Sequence, residues 1–193
     1  MVRLSGRKKE RRGGSAPPSD EDLVLRIRRN EPGSFRLLVD RHGDGIYRFC
    51  HFMVDNHEVA EDITQETFLI FLRVCRGTTA VRSAKSYLVT VARRRCLNYI
   101  RDRKSRVPID GGTTPSYSFD VGDIDRKDEL HRALQGIPDH FREAFLLYEL
   151  EGFSYEEIAE ALEITYGAVK NRIYRAKQEL RQKLAPLLRD GLD

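Results

Sequence analysis

The fold is decided by residues 154–184, SYEEIAEALEITYGAVKNRIYRAKQELRQKL, which predict a helix, a short turn and a second, basic helix. Ser154 and Glu157 have the spacing of a capping box, so the first helix is expected over 155–162. The turn should follow directly, and Thr165 is placed to cap the next helix. This arrangement is typical of a helix-turn-helix, whose second helix packs one face on its own domain. That face is predicted to be one apolar stripe at the helical period: Val169, Ile173, Ala176, Leu180 and Leu184.

The other side of the second helix is polar and basic. Residues 170–183 hold six basic residues against one acid. Cations and amides on a free helix face suit contacts with DNA base edges and phosphates. A solvated helical hairpin is the ordinary alternative, but the short turn and the excess of cations favour DNA binding. Four residues lie largely off the apolar stripe: Lys170, Asn171, Tyr174 and Arg175.

Charge is segregated along the 193-residue chain, although the net charge is only +4. Residues 3–12 hold six basic residues against one acid, and residues 82–106 hold nine against one. In contrast, residues 54–69 hold five acids and no Lys or Arg, and residues 107–125 hold four Asp and no Lys or Arg. Such separation suggests one face for nucleic acid and another for protein partners.

The chain is predicted to be all-α, with two small helical domains joined by a flexible linker. Residues 1–18 hold almost no apolar surface and are expected to form a disordered basic tail. The first domain is predicted over 19–106, an acidic linker rich in Gly, Pro, Ser and Thr over 107–126, and the second domain, which contains the helix-turn-helix, over 127–190. No convincing strand pattern and no internal repeat is present in the sequence.

Within the first domain, caps and glycines set the expected helix boundaries. Asp55 or Asn56 is expected to cap a long helix over about 57–75. A third apolar segment, distinct from the second helix, is expected after Gly43 and Gly45.

The sequence indicates neither an enzyme nor a metal or cofactor site. Residues 57–61 read His-Glu-x-x-Glu, which lacks the second histidine of the zinc-protease motif. The neighbouring Cys50-His51 pair has no apparent fourth ligand. Three cysteines without close spacing indicate reduced, mostly buried thiols of a cytosolic protein. No apolar run is long enough for a signal peptide or a membrane span.

Four motifs in order along the chain resemble those of bacterial RNA polymerase sigma factors of the extracytoplasmic-function group. The motifs are EDITQETF at 61–68, YLVTVAR at 87–93, EGFSYEEIA at 151–159 and VKNRIYRA at 169–176. The resemblance implies a cytoplasmic protein, monomeric when free, that binds core RNA polymerase and directs initiation at promoter DNA. It also implies a partner anti-sigma factor that occludes the protein until a signal arrives.

The same resemblance implies three sets of functional residues. Core polymerase would be bound by a set on the acidic segment: Asp62, Gln65, Glu66 and Phe68. The minus-ten element would be read and melted by a set on the basic segment: Lys85, Tyr87, Arg93, Arg94, Arg95, Asn98 and Arg101. The minus-thirty-five element would be read by the helix-turn-helix: Thr165, Tyr166, Lys170, Asn171, Arg172, Tyr174 and Arg175.

Three positions depart from the pattern of this family. Tyr87 stands where relatives often have Trp, and Arg94 where they have Asn, so their base preference does not carry over. Glu163 stands in the turn where relatives commonly have Gly, and a left-handed backbone there would cost on the order of 1 kcal/mol.

Two other functions remain open from the sequence alone. A helix-turn-helix regulator acting as a homodimer would leave the acidic segment without a role. A sigma mimic that titrates an anti-sigma protein would not need the arginines at 93–95 or the cations at Lys170 and Arg175. Both therefore explain fewer features than a sigma factor does.

Overall fold

The computed structural model describes residues 17–77, 80–106 and 124–189, which form helices and contain no strand. The prediction of an all-α fold is confirmed. The expected tail, up to residue 16, and the expected linker, up to residue 123, lie outside the described residues. The helices are α1 Asp20–Arg28, α2 Ser34–Val54, α3 His57–Arg76, α4 Ala84–Arg106, α5 Ile124–Gln135, α6 Asp139–Glu149, α7 Tyr155–Leu162 and α8 Tyr166–Arg189. Because α5 begins at Ile124, the last residues of the expected 107–126 linker are helical.

Side-chain caps begin the helices where the sequence indicated them. At α7, Ser154 Oγ accepts from the Glu157 backbone N–H at 3.2 Å, and Glu157 Oε2 accepts from the Ser154 N–H at 2.7 Å. At α3, Asn56 Oδ1 accepts from the Val59 N–H at 2.9 Å, so of the two candidate caps Asn56 is the one used. Each cap satisfies a backbone donor that the helix itself leaves free.

The expected break at Gly43 and Gly45 is wrong, because α2 runs unbroken from Ser34 to Val54. Leu38, Ile46 and Phe49 on either side of the glycines are buried in one core, and this packing outweighs their weak helix propensity.

The buried apolar residues of α1–α4 and of α5–α8 belong to one continuous core. Phe49, Phe71 and Leu88 are fully buried on the side of α1–α4, and Leu147 and Ile158 on the side of α5–α8. The three cysteines are buried free thiols, as expected. In the part of the chain that the structure covers, no helix has the length and apolar character needed to cross a bilayer.

The two units pack against each other. The helix α2 contacts α5 and α6, and α4 contacts α7. The Gln135 side-chain amide donates to the Phe52 carbonyl at 2.8 Å, and His131 Nε2 lies 2.6 Å from Asp55 Oδ1. This arrangement places α4, the expected minus-ten helix, against the second unit.

Candidate nucleic-acid interface

The helix-turn-helix is formed by α7, a short turn and α8. Glu163 ends α7 with φ 55° and ψ 43°, in the left-handed region. A residue with a Cβ in this conformation costs about 1–2 kcal/mol, which is the strain expected at this position. The turn is closed by the Ile164 N–H, which donates to the Ala159 carbonyl at 3.0 Å. Thr165 Oγ1 accepts from the Ala168 N–H at 3.2 Å and so caps α8.

The helix α8 divides into two faces as the sequence indicated. Its apolar stripe is buried from Val169 to Leu180. On the outer face, two aromatic side chains are well exposed, with Tyr166 at 50% and Tyr174 at 58%. The structure brings six of the seven predicted residues to the exposed surface: Thr165, Tyr166, Lys170, Asn171, Tyr174 and Arg175.

Arg172 is placed differently from these six residues. It is half-buried, and its Nη1 donates to Glu143 Oε1 of α6 at 3.0 Å. Its guanidinium therefore braces the recognition helix on its own domain.

An aromatic group beside the turn was not anticipated from the sequence. Tyr155 lies with its ring centroid 5.2 Å from that of Tyr148 and 5.6 Å from that of Tyr166. Lys177 lies over the Tyr148 ring at 5.0 Å and donates to Glu149, and this hydrogen bond raises the pKa of Lys177. Tyr155 and Tyr166 are the first residues of α7 and α8, so only the geometry of the turn brings them together.

The predicted minus-ten residues on α4 do not form one open surface. The Lys85 ammonium donates to the Glu151 carbonyl of the second unit and lies 4.6 Å from the Phe153 ring centroid. Tyr87 is half-buried, with its ring 5.8 Å from that of Phe71.

The arginines of α4 point in several directions. Arg93 donates to Glu143 of α6, and Arg94 lies 3.6 Å from Glu163. Arg95 forms a 2.6 Å ion pair with Glu66 of α3. The remaining members of the set are exposed, with the Arg101 guanidinium donating to Asn98 at 3.2 Å.

The acidic face of α3 keeps Asp62 and Gln65 exposed. Phe68, however, is only 5% exposed, and its ring packs edge-on against Phe35 at 6.4 Å. The exposed apolar side chain beside the carboxylates is Leu69, at 55%. Its position one residue further along the helix turns it outward, because successive residues are separated by about 100° around a 3.6-residue turn.

Two family models match the chain. Residues 38–106, which include α3 and α4, match Sigma-70 region 2, and residues 127–180, which include α6 and α7, match Sigma-70, region 4. The ECF RNA polymerase sigma-E factor of Salmonella typhimurium is 30% identical over 187 residues, covering 89% of this chain and 97% of that protein. The chain belongs to the extracytoplasmic-function sigma factors.

Two further proteins are similar to this sigma factor. The RNA polymerase sigma-H factor of Pseudomonas aeruginosa is 29% identical over 187 residues, covering 89% of this chain and 97% of that protein. The sigma factor RpoE of Bartonella quintana, solved with the anti-sigma factor NepR, shares the fold with a TM-score of 0.64 at 23% identity, covering 79% of this chain and 98% of that chain. The resemblance drawn from the four motifs is therefore confirmed: the protein is an RNA polymerase sigma factor that acts in transcription initiation at promoter DNA.

Proposed function

We propose that this sigma factor reads the minus-thirty-five element with the outer face of α8. The observation that carries this proposal is the division of α8, in which an apolar stripe buried from Val169 to Leu180 lies opposite exposed cations, an amide and a tyrosine. Lys170 and Arg175 can bind phosphates or guanine, and Asn171 can pair with adenine in the major groove. Tyr155 and Tyr166, the first residues of α7 and α8, would contact the DNA backbone beside the major groove. Arg172 contributes by holding α8 through Glu143.

The minus-ten element is read by α4 in this proposal. Arg94 and Arg101 have exposed guanidinium groups that suit phosphate binding, and Asn98 lies between them on the same helix. Tyr87 can stack on an unpaired base, because every base presents an aromatic face. Removing a base from the duplex costs a few kcal/mol, which several such contacts together would offset.

Core RNA polymerase is bound by the exposed face of α3. Asp62 and Gln65 offer a carboxylate and an amide that can pair with cations on a partner helix. Leu69, on the same helix, supplies an apolar contact with that partner. Glu66 forms an ion pair with Arg95, so its carboxylate is less available for polymerase binding. Buried Phe68 supports this face from the core.

Three further properties belong to this proposal. The protein works in the cytoplasm, where promoter DNA and polymerase are found, and it is monomeric when free. RNA synthesis itself is performed by the polymerase, so the sigma factor has no catalytic residues of its own. An anti-sigma factor holds it inactive, as the complex of the Bartonella quintana protein with NepR suggests for a protein of this fold.

In vitro transcription with purified core polymerase tests the proposal. Fragmented DNA from the host genome serves as template, and transcript ends are mapped. We expect starts that share two upstream elements, and we expect Arg175→Ala to lower their yield about 5- to 150-fold, since loss of one good base contact costs about 1–3 kcal/mol. Arg36→Ala is the matched control, because Arg36 is an exposed arginine of α2 that pairs only along its own helix with Asp40. Absence of sigma-dependent starts would refute the function.

A further inference from the structure

A row of three tyrosine rings joins α6, α7 and α8 beside the helix-turn-helix. Tyr148 lies near the end of α6, and Tyr155 and Tyr166 are the first residues of α7 and α8. The ring centroids are 5.2 Å and 5.6 Å apart, and the ring planes are tilted by 53° and 60°. Both separations are within the range of favourable aromatic pairs. The row therefore connects the body of the second unit to the first residue of the recognition helix.

The far end of the row is fixed by Lys177. Its Nζ lies 5.0 Å from the centroid of the Tyr148 ring and 2.8 Å from Glu149 Oε1. A cation over a ring face is attracted to the ring, and the carboxylate holds the ammonium in place. Lys177 is 11 residues after Tyr166, about three turns of helix, so both project from the same side of α8. The rings thus join two points of one helix through its neighbours.

The first turn of α8 has few other contacts to keep it ordered. Thr165, Tyr166 and Gly167 are exposed, and the first buried residue of the helix is Val169. Glycine is among the poorest helix formers, and a Cβ at Gly167 would meet no described atom within 4 Å. Besides the Thr165 cap on the Ala168 N–H, the contact of the Tyr166 ring with Tyr155 holds this turn. Without the ring contact, the turn would fray.

Order in this turn bears on DNA recognition. The residues near the N-terminus of a recognition helix are those that contact base edges. Lys170 and Asn171, both in the proposed minus-thirty-five set, lie in the next turn of α8. A segment that is already ordered loses less conformational freedom when it binds. A row of rings that keeps the first turn helical therefore favours binding of the element without touching it.

We propose that Tyr148 and Lys177 are positioning residues for recognition of the minus-thirty-five element. They hold the Tyr155 ring against Tyr166 and so keep the first turn of α8 helical before DNA is bound. Tyr155 and Tyr166 contact the DNA backbone, whereas Tyr148 and Lys177 act through them. The inference rests on the proposed role of α8 in reading this element, and it adds two residues that lie outside the predicted sets.

Amide hydrogen exchange of the full-length protein, followed by NMR, tests the ordering without polymerase or DNA. Tyr148→Leu removes the ring, and Tyr148→Phe keeps it. We expect Tyr148→Leu to speed exchange of the Val169 amide about threefold, within the 2- to 12-fold that loss of an aromatic pair gives. We expect Tyr148→Phe to match the wild type. An unchanged Val169 amide in Tyr148→Leu overturns the inference.

The Arg142 amide is the internal reference for this exchange experiment. The Val169 N–H donates to the Thr165 carbonyl at the start of α8, and the Arg142 N–H donates to the Pro138 carbonyl at the start of α6. Both amides therefore report the first turn of a helix in the second unit. Equal acceleration of the two amides in Tyr148→Leu would mean a general loss of stability and would also overturn the inference.

Lys177→Met keeps the test decisive if Tyr148→Leu fails to fold. The Lys177 side chain is 39% exposed, so its replacement spares the core. Lys183→Met is the matched control, because it removes the same charge from α8 but Lys183 lies beside Gly136. We expect only Lys177→Met to speed Val169 exchange, about twofold, and Lys177→Arg to restore the wild-type rate, since a guanidinium also binds a ring face. Equal rates in Lys177→Met and Lys183→Met overturn the inference.

Transcription with core polymerase then tests the link to promoter recognition. The template is a promoter with both mapped elements, and its partner template has the minus-thirty-five element scrambled. We expect Tyr148→Leu to raise the half-saturating concentration of the intact promoter about threefold, with an unchanged maximal rate and wild-type behaviour on the scrambled promoter. Tyr148→Phe should behave as the wild type on both templates. A lower maximal rate, or the same loss on both templates, would overturn the inference.

Arg175→Ala separates failure of this inference from failure of the proposed function. If Arg175→Ala lowers transcription from the intact promoter and Tyr148→Leu does not, α8 reads the element and only the positioning role of Tyr148 is refuted. If neither variant changes transcription, the proposed role of α8 is refuted, and the inference with it.

Discussion

Replacing the two glycines of α2 by alanine separates helix propensity from the contact between the units. Gly43 and Gly45 both lie inside α2, where Gly→Ala stabilises a helix by about 1 kcal/mol. A Cβ at Gly43 would lie 3.7 Å from Val39 Cγ1, an ordinary contact. A Cβ at Gly45 would lie 2.9 Å from Glu151 Oε1 and 3.0 Å from Oε2, so the Glu151 side chain would have to move.

Chemical denaturation, monitored by far-UV circular dichroism, measures the free energy of unfolding of each variant. We expect Gly43→Ala to raise the free energy of unfolding by about 1 kcal/mol, equivalent to about 4–8 °C in Tm for a domain of this size. Gly45→Ala should gain less than this, because the Glu151 side chain must move to make room for the new Cβ. Adding Glu151→Ala should restore the full gain at Gly45, because the crowding side chain is then absent.

The outcome bears on the packing of the two units and not only on α2. Equal stabilisation by Gly43→Ala and Gly45→Ala, with Glu151 intact, would mean that Glu151 does not approach α2 in solution. The contact between Glu151 and Gly45 would then be refuted.

The remaining predictions concern the polymerase-binding face and the histidines at the interface. Leu69→Asp should weaken binding to core polymerase about tenfold in a pull-down titration, since loss of a central apolar contact costs over 1 kcal/mol, whereas Leu25→Asp on α1, similarly exposed at 49%, should not. Burial is the main cause that lowers the pKa of His51 below its ordinary value of 6.5, and the charge of the nearby His131 lowers it further. The folded protein then binds fewer protons than the unfolded chain, so the free energy of unfolding should fall as pH drops below about 6.5. His51→Gln should make that fall smaller in urea titrations; an unchanged fall would contradict the assignment.

Local sequence patterns were sufficient for the helix-turn-helix. A capping box depends on residues three apart, so Ser154 and Glu157 defined the start of α7 before any tertiary information. The left-handed Glu163 was anticipated only from the family resemblance, because relatives commonly have Gly at this position of the turn. The two faces of α8 followed from the helical period alone.

Contacts between distant residues could not be predicted in this way. Arg93 and Glu143 are 50 residues apart, and Lys85 and Glu151 are 66 apart, so no local pattern connects them. The acidic segment left Phe68 and Leu69 open as apolar contact or core, because a charged helix with two adjacent apolar residues does not reveal which of them faces the core. Cationic side chains on α4 satisfy either DNA or carboxylates, and sequence alone does not distinguish the two.

A rise in salt weakens DNA binding by α4 but favours separation of α4 from the second unit. DNA binding releases counterions, so affinity falls as salt rises. Separation of the units breaks ion pairs such as Arg94 with Glu163, and salt favours that step because the pair is exposed and screened. In the wild type, a phosphate that contacts Arg94 must displace Glu163, so the plot of log affinity against log salt should be shallower than that of Glu163→Lys. Glu160→Lys should follow the wild type, whereas parallel plots for all three proteins would mean that no ion pair between the units is broken when DNA binds.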